Sequence, residues 1–358
     1  MSHYADQRII SEMTTIRREV LLPDEAIGQV RVLQGQRVDI RDSVARGIIP
    51  ARHIIIEAAK ELRLRNPADL PKKLLKRVGA RVQEGEPIAG DDPKRGRRVM
   101  SPVRGLIVHV GDGRIIMQSM PRVINLEAGV RGRVIELYPR GVAIEAVGTL
   151  IQGIWGNGRS TIATLRLVPH KGGMQGLPKD TLEAGYRNEV VLSPETLTST
   201  HLKIAQVRQF AGLIVPSMPA ALIPEALASD VTIMVTEGFG NQRMPEDVLT
   251  LFTDCQGYQV TLDGFTPRRN AVRRPEAVVN RPRRDDLPAT PDARLPLRPG
   301  MRIRVSRAPY QGQLGRILNT SLEPHMLSNG LRTPCAEVEL LGGEIVWLPA
   351  ADLELTGR

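Results

Sequence analysis

Aromatic side chains are scarce in this chain, with four Phe, two Trp and five Tyr among 358 residues. A core must therefore be built from Val, Ile, Leu and Ala, and there is little from which to make a row of stacking platforms for unpaired bases. Cysteine is scarcer still. Cys255 and Cys335 lie far apart and in no Cys-x-x-Cys. That argues against a disulfide framework or a thiolate metal site and fits a reducing cytoplasm. The six histidines are scattered, with no His-x-x-x-His or His-Glu-x-x-His spacing, so neither a metal nor a cofactor is implied. No apolar run reaches the ~18–20 residues of a membrane span. The most apolar stretch, 210–228, holds Pro216, Pro219 and Pro224 and reads as strand, loop and helix. The first twenty residues carry charge throughout, unlike a secretory signal. A cytoplasmic location without a membrane span is expected.

Positive charge is abundant, but it is concentrated. The formal net charge is +10. Between 265 and 310 stand Arg268, Arg269, Arg273, Arg274, Arg281, Arg283, Arg284, Arg294, Arg298, Arg302, Arg304 and Arg307, against Glu276, Asp285, Asp286 and Asp292. Beyond 310, three arginines face six carboxylates. A second basic stretch is PKKLLKRVGAR with PKRGRRVMSPVR. Such clusters attract phosphate backbones without sequence preference. The plain alternative is a solvated basic linker. The Pro and Arg content of 266–296 predicts an extended connection.

An internal repeat organises the first third. GQRVDIRDSVA (35–45) aligns without a gap on GARVQEGEPIA (79–89), matching Gly35 to Gly79, Val38 to Val82, Val44 to Ile88 and Ala45 to Ala89. Alternating apolar positions predict short half-buried strands, each entered through a glycine turn. Between the copies a helical insertion, 51–78, is expected: one helix over ARHIIIEAAKELRL, then a second capped by Asn66 with Pro67 in its first turn and closed by Gly79.

These motifs, continued by Ser101-Pro102-x-x-Gly105, resemble the barrel-sandwich hybrid of biotinyl and lipoyl carriers, and the related unmodified domain in the C subunit of ion-translocating electron-transport complexes. The resemblance covers roughly 20–125. Carriers present the modified lysine in a short apolar hairpin such as Ala-Met-Lys-Met. Here the turn reads AGDDPKRGRR, and Lys94 has charged neighbours, proline and glycine around it. The resemblance therefore implies the carrier fold without the carried group, with Lys94 kept only as an alternative modification position.

Further on, Gly153, Gly156 and Gly158 in IQGIWGNGRSTIATLRL could let backbone amides approach a phosphate. The residues that follow alternate as a strand instead of opening a helix, so a glycine-rich turn is expected. Residues 188–264 alternate strands (NEVVLS, GLIVP, VTIMVT, YQVTLDG) with helices, which argues a small parallel α/β layer. Ligands of such layers bind beyond the carboxyl ends of the strands. That singles out TEGFGNQRMP: Thr236 and Glu237 after a strand, Gly238 and Gly240 for tight backbone, then Arg243 before a helix. His170 or His201 could be brought there by the fold.

The tail, LRPGMRIRVSRAPYQGQLGRIL with AEVELLGGEIVWLPAADLEL, resembles a KOW motif, known from transcription elongation factors and ribosomal proteins. This implies an SH3-like barrel over ~297–355, with Ile303, Val305, Leu314, Ile317, Val338, Leu340, Val346 and Leu348 in its core. The order of modules, with TEGFG ahead of FTPRRNAVRRPEAVV, resembles a bacterial family without an assigned activity.

The expected fold class is multidomain α+β: a β-rich barrel-sandwich hybrid, a small parallel α/β layer and a C-terminal SH3-like barrel. The expected divisions are 1–19, 20–168, 169–265, the linker 266–296 and 297–358. No nucleophile–base pair is legible. The favoured function is a non-catalytic binding or scaffold protein docking on RNA, a nucleoprotein or a protein complex through Arg268, Arg269, Arg273, Arg274, Arg281, Arg283, Arg284, Arg302, Arg304 and Arg307. The alternatives are a ligand-binding or enzymatic α/β protein using Thr236, Glu237, Gly238, Gly240 and Arg243, or a carrier or redox-complex accessory.

Overall fold

The structure is a computed structural model and describes residues 8–168, 173–174, 186–265, 274–280, 295–321, 323–327 and 329–355. It is mostly β, with several sheets and a few short helices. The first third contains β1 (Ile10–Leu21), β2 (Ile27–Val30), β3 (Arg37–Val38), β4 (Ser43–Ile49), β5 (His53–Ile56), α1 (Ala58–Leu62), β6 (Arg81–Val82), β7 (Pro87–Gly90), β8 (Arg98–Met100), β9 (Gly105–Gly111), β10 (Arg114–Ser119) and β11 (Arg122–Glu127).

The two aligned segments are built alike. Gly35 and Gly79 both take positive φ, 83° and 85°, a conformation in which a side chain is strained. Each then donates its N–H across to a later strand, Gly35 to Val134 and Gly79 to Ile107. Val38 and Val82, Val44 and Ile88, and Ala45 and Ala89 are all buried. Even the turn caps correspond. Asp42 Oδ2 accepts from the Asp39 N–H at 2.7 Å, and Glu86 Oε2 accepts from the Gln83 N–H at 2.9 Å. The second copy joins the sheet β5-β10-β9-β6 and the hairpin β7-β8, and β4 of the first copy lies between β11 and β2.

The insertion between the copies corrects the expected pair of helices. Ile54, Ile55 and Ile56 form β5, in register with Met117, Ile116 and Ile115 of β10. Three consecutive β-branched residues favour that pairing, which buries Ile56. The helix begins only at Ala58 and ends at Arg63, whose φ is 54°. The second segment is a 3-10 turn over Pro67–Lys73, with Asn66 Oδ1 accepting from the Ala68 N–H as expected of a cap. Pro71 lacks the N–H that would carry it on as an α-helix.

The middle third holds β12 (Gly132–Tyr138), β13 (Gly141–Gln152), β14 (Trp155–Gly156), β15 (Ser160–Leu167), β16 (Val190–Leu192), α2 (Ser199–Val207), β17 (Gly212–Met218), α3 (Ile223–Ala228), β18 (Thr232–Phe239), α4 (Glu246–Asp254), β19 (Gln259–Asp263) and β20 (Glu276–Asn280). One eleven-stranded sheet runs β14-β18-β17-β16-β15-β19-β20-β13-β12-β3, with β1 on the other edge of β13. Neighbours among β15, β16, β17 and β18 are parallel, and every residue of β17 is buried, as a sheet covered on both faces requires. Val191, Leu213, Val215, Ile233 and Val235 meet α2 and α3 on one face. Val190, Leu192, Ile214 and Met234 meet Val248 and Phe252 of α4 on the other. The expected division at 19/20 falls inside β1, and that at 168/169 falls between two strands of this one sheet.

The last part comprises β21 (Arg302–Val305), β22 (Leu314–Thr320), β23 (His325–Met326), β24 (Arg332–Thr333), β25 (Cys335–Leu340), β26 (Ile345–Pro349) and β27 (Leu353–Leu355). Five of these form an antiparallel sheet in the order β26-β25-β22-β21-β27. Ile303, Val305, Ile317, Val338, Leu340 and Leu348 are buried in its core, while Leu314 and Val346 are half-buried.

Candidate functional site: a buried ionic joint at the TEGFG loop

β17 and β18 pair in parallel up to Val215 and Val235, then slip register before Ser217 and Gly238. The slip falls where Gly238 and Gly240 take φ of 116° and 104°. Thr236 is fully buried. Glu237 leaves the sheet edge toward the C-terminal module, with a side chain only 8 % exposed.

Three other charged side chains enclose it. Arg8 donates from Nη2 to Glu237 Oε2 at 3.1 Å, from Nε to Glu354 Oε1 at 2.7 Å and from Nη2 to Glu354 Oε2 at 2.8 Å, and from Nη1 to the Thr236 carbonyl. Arg304 donates to Glu354 Oε2 at 2.6 Å and lies 3.5 Å from Glu237. All four side chains are 2–8 % exposed. Two guanidinium groups thus face two carboxylates, and the cluster is neutral. Burial on its own would lower the Arg8 pKa, but hydrogen bonds and charge from Glu354 and Glu237 outweigh it and hold the group above the ordinary arginine value. Burial likewise opposes ionisation of Glu354, and Arg8 with Arg304 reverses that, leaving its carboxyl below the ordinary glutamate value. Both directions favour the ionised pair. Removing one partner of such a buried pair costs about 3–5 kcal/mol.

The remaining candidates separate spatially. Gly238 is buried, Gly240 is exposed, and Arg243 is exposed ahead of α4. On the far side of the loop a polar belt crosses the carboxyl ends of the strands. Thr196 Oγ1 lies 3.0 Å from Ser217 Oγ and donates to Asn241 Oδ1 at 2.8 Å, and Ser217 Oγ accepts from the Gln242 N–H at 2.9 Å. His201 is buried on α2, its Nε2 3.7 Å from Glu195, and His170 lies outside the described residues. Among the described residues no group of His, Cys, Asp and Glu could hold a metal ion.

The arginines divide as well. Arg268, Arg269, Arg273, Arg281, Arg283 and Arg284 lie outside the described residues. Arg274 is half-buried, and Arg302 is exposed. Arg307 is exposed and 3.3 Å from Asp352. Arg304, expected with them among the docking arginines, is interior. Lys94 is exposed at a turn in which Asp92 Oδ1 accepts from its N–H and from that of Arg95, at 2.6 and 3.1 Å.

A third buried arginine, Arg18, was not singled out by sequence reasoning. Arg18 on β1 donates to Glu276 at 2.9 Å and to Asp263 at 3.3 Å, and so gives the Arg-Pro-Glu segment a structural partner. It lines a groove of about 410 Å³ together with Gly129, Gly158, Thr161, Thr261 and Asp263. Arg8 was missed too. Its only signal is indirect: Arg304 and Glu354 are directly opposed in β21 and β27, and a buried opposite-charge pair beside Glu237 leaves room for one more cation.

Compared with known proteins, the chain matches no protein-family model and no curated protein.

Proposed function

We propose that this chain is a non-catalytic binding or scaffold protein that docks on RNA through its C-terminal module and the Arg-rich segment 266–296. On this reading β21–β27 are a KOW-type, SH3-like module, the repeated segments are a barrel-sandwich hybrid without the carried group, and β15–β18 are an α/β layer that supports both. The supporting observation is the ionic joint. The acidic group of the TEGFG loop is occupied by Arg8 and Arg304, so the loop serves as a seat for the C-terminal module and not as the mouth of a ligand site. Arg302 and Arg307 stay outward, and the same module carries a stacked pair: His325 and Trp347 have ring centroids 4.3 Å apart at 7°.

The test is binding of the full chain to mixed-sequence RNA across a salt series. The expected result is an affinity that falls steeply with salt, and falls further in an Arg302→Gln/Arg307→Gln variant. No binding at ~50 mM salt, where contacts to several phosphates are strong, overturns the reading. An intact mass equal to that of the sequence is the expected result for Lys94; an added biotinyl or lipoyl mass would favour the carrier alternative.

A further inference from the structure

Two basic stretches that are separate in sequence share one surface. Between 60 and 98 the chain carries twelve Lys and Arg against six Asp and Glu. Three ion pairs occupy Lys72 with Asp69, Lys73 with Asp91 and Lys76 with Glu86. Nine cations then remain against three carboxylates, and one of these, Asp92, is used in capping the turn.

The fold gathers six of the nine around a cleft. Leu62, Leu64, Lys73, Gly90, Asp91 and Arg97 line about 190 Å³ between the end of α1 and the β7–β8 turn. Leu62 and Leu64 pack toward the core of this module, so the residues alternating with them, Arg63 and Arg65, project outward and are exposed. The left-handed conformation of Arg63 makes that reversal. Across the cleft, Lys94, Arg95, Arg97 and Arg98 are exposed on the turn. Leu74 bridges to Ala89, which ties the 72–77 run to the same hairpin. Six exposed cations therefore flank one cleft, five of them arginine.

We propose that this surface is a second nucleic-acid contact, gripping the phosphate backbone without reading bases; the proposal rests on the reading of the protein as an RNA-docking scaffold. Arginine forks match phosphate oxygens in pairs, and so favour this partner over a diffuse acidic one. There is no Phe, Trp or Tyr anywhere from 51 to 120, so no stacking platform exists for unpaired bases. Binding is therefore expected to be indifferent to sequence and no weaker for duplex than for single strands.

The experiment uses the full chain and a fluorescent RNA, as duplex and as single strand, across a salt series. Three variants are compared: Lys94→Gln/Arg95→Gln/Arg97→Gln on the turn, Arg63→Gln/Arg65→Gln on the opposite rim, and Arg281→Gln/Arg283→Gln/Arg284→Gln in the linker. Either rim variant is expected to weaken binding at least about tenfold at low salt and to flatten the log–log salt slope by about 0.9 per lost contact. The opposite-rim variant keeps the test valid if the turn variant misfolds. Wild-type binding with both rim variants unchanged, and loss only in the linker variant, overturns this surface and leaves the proposed function standing. No binding by the wild type overturns both. A preference above about tenfold for one RNA sequence overturns backbone-only contact.

Discussion

Arg8 and Glu354 meet through two parallel hydrogen bonds across 346 residues of sequence. The geometry is the fork-on-carboxylate pairing that makes an arginine contact both strong and directional. It is closed off from water, and Arg304 and Glu237 complete it. Each of Arg8→Ala and Glu354→Ala is therefore expected to lose about 3–5 kcal/mol of stability, because each strands a buried charge. The double variant should cost clearly less than the sum, with a coupling of about 1 kcal/mol or more. Urea unfolding of the four proteins measures it; strictly additive losses would mean that the two groups do not act as a pair.

Acid should weaken the same joint. The Glu354 carboxyl lies below its ordinary value in the folded chain. The stabilisation it brings is fully present above the unfolded value of ~4.3 and is lost as pH falls through the lower folded value. Arg8 stays charged throughout, since its shift is upward. The melting temperature should change little from neutral pH to ~5 and drop below ~4. In Glu354→Gln that drop should be smaller, starting from a lower plateau. An equal drop in both proteins would assign acid sensitivity to other carboxylates.

Two glycines give opposite expectations for the same substitution. A Cβ on Gly156 would stand 2.3 Å from the Gly264 carbonyl oxygen, which is backbone and has little freedom to retreat, whereas one on Gly342 meets nothing within 4 Å. Gly156→Ala should lose about 1–3 kcal/mol by overpacking. Gly342→Ala should stay within about 0.5 kcal/mol. Thermal melts of the two variants, run side by side, check the contrast.

The α4 face of the large sheet is anchored by Phe252, which is fully buried among Ile214, Met234 and Val260. Phe252→Ala should cost about 3–5 kcal/mol. Exchange of amide hydrogens in β16 and β17 should rise with it, while exchange in β25 should not, because that strand belongs to a different core.

Local patterns were readable wherever turn chemistry and apolar period agreed. The glycine-led repeat at 35 and 79 and the strands either side of Gly342-Gly343 follow from residues within ten positions of one another. The reading failed at 53–56, where three isoleucines precede a helix-favouring Glu-Ala-Ala-Lys and the pairing strand lies sixty residues on. The candidate site was less legible still. Arg304 alternates with Ile303 and Val305, so period alone sends it to solvent. It is interior because Glu237 and Arg8, from distant parts of the chain, cover that face. Cross-strand register and long-range docking decide such a residue, and neither is written locally.

β1 pairs along β13, and β20 closes the opposite edge of the same strand. During synthesis at ~5–20 residues per second, β1 must wait on the order of ten seconds for β13 to be made. For that interval it is a twelve-residue strand with both edges open, the form of chain most prone to pair with a stranger. A strand held on one side only in the finished sheet is thus wholly unpaired in the nascent chain, and the yield of folded protein should depend on how fast residues 141–152 follow.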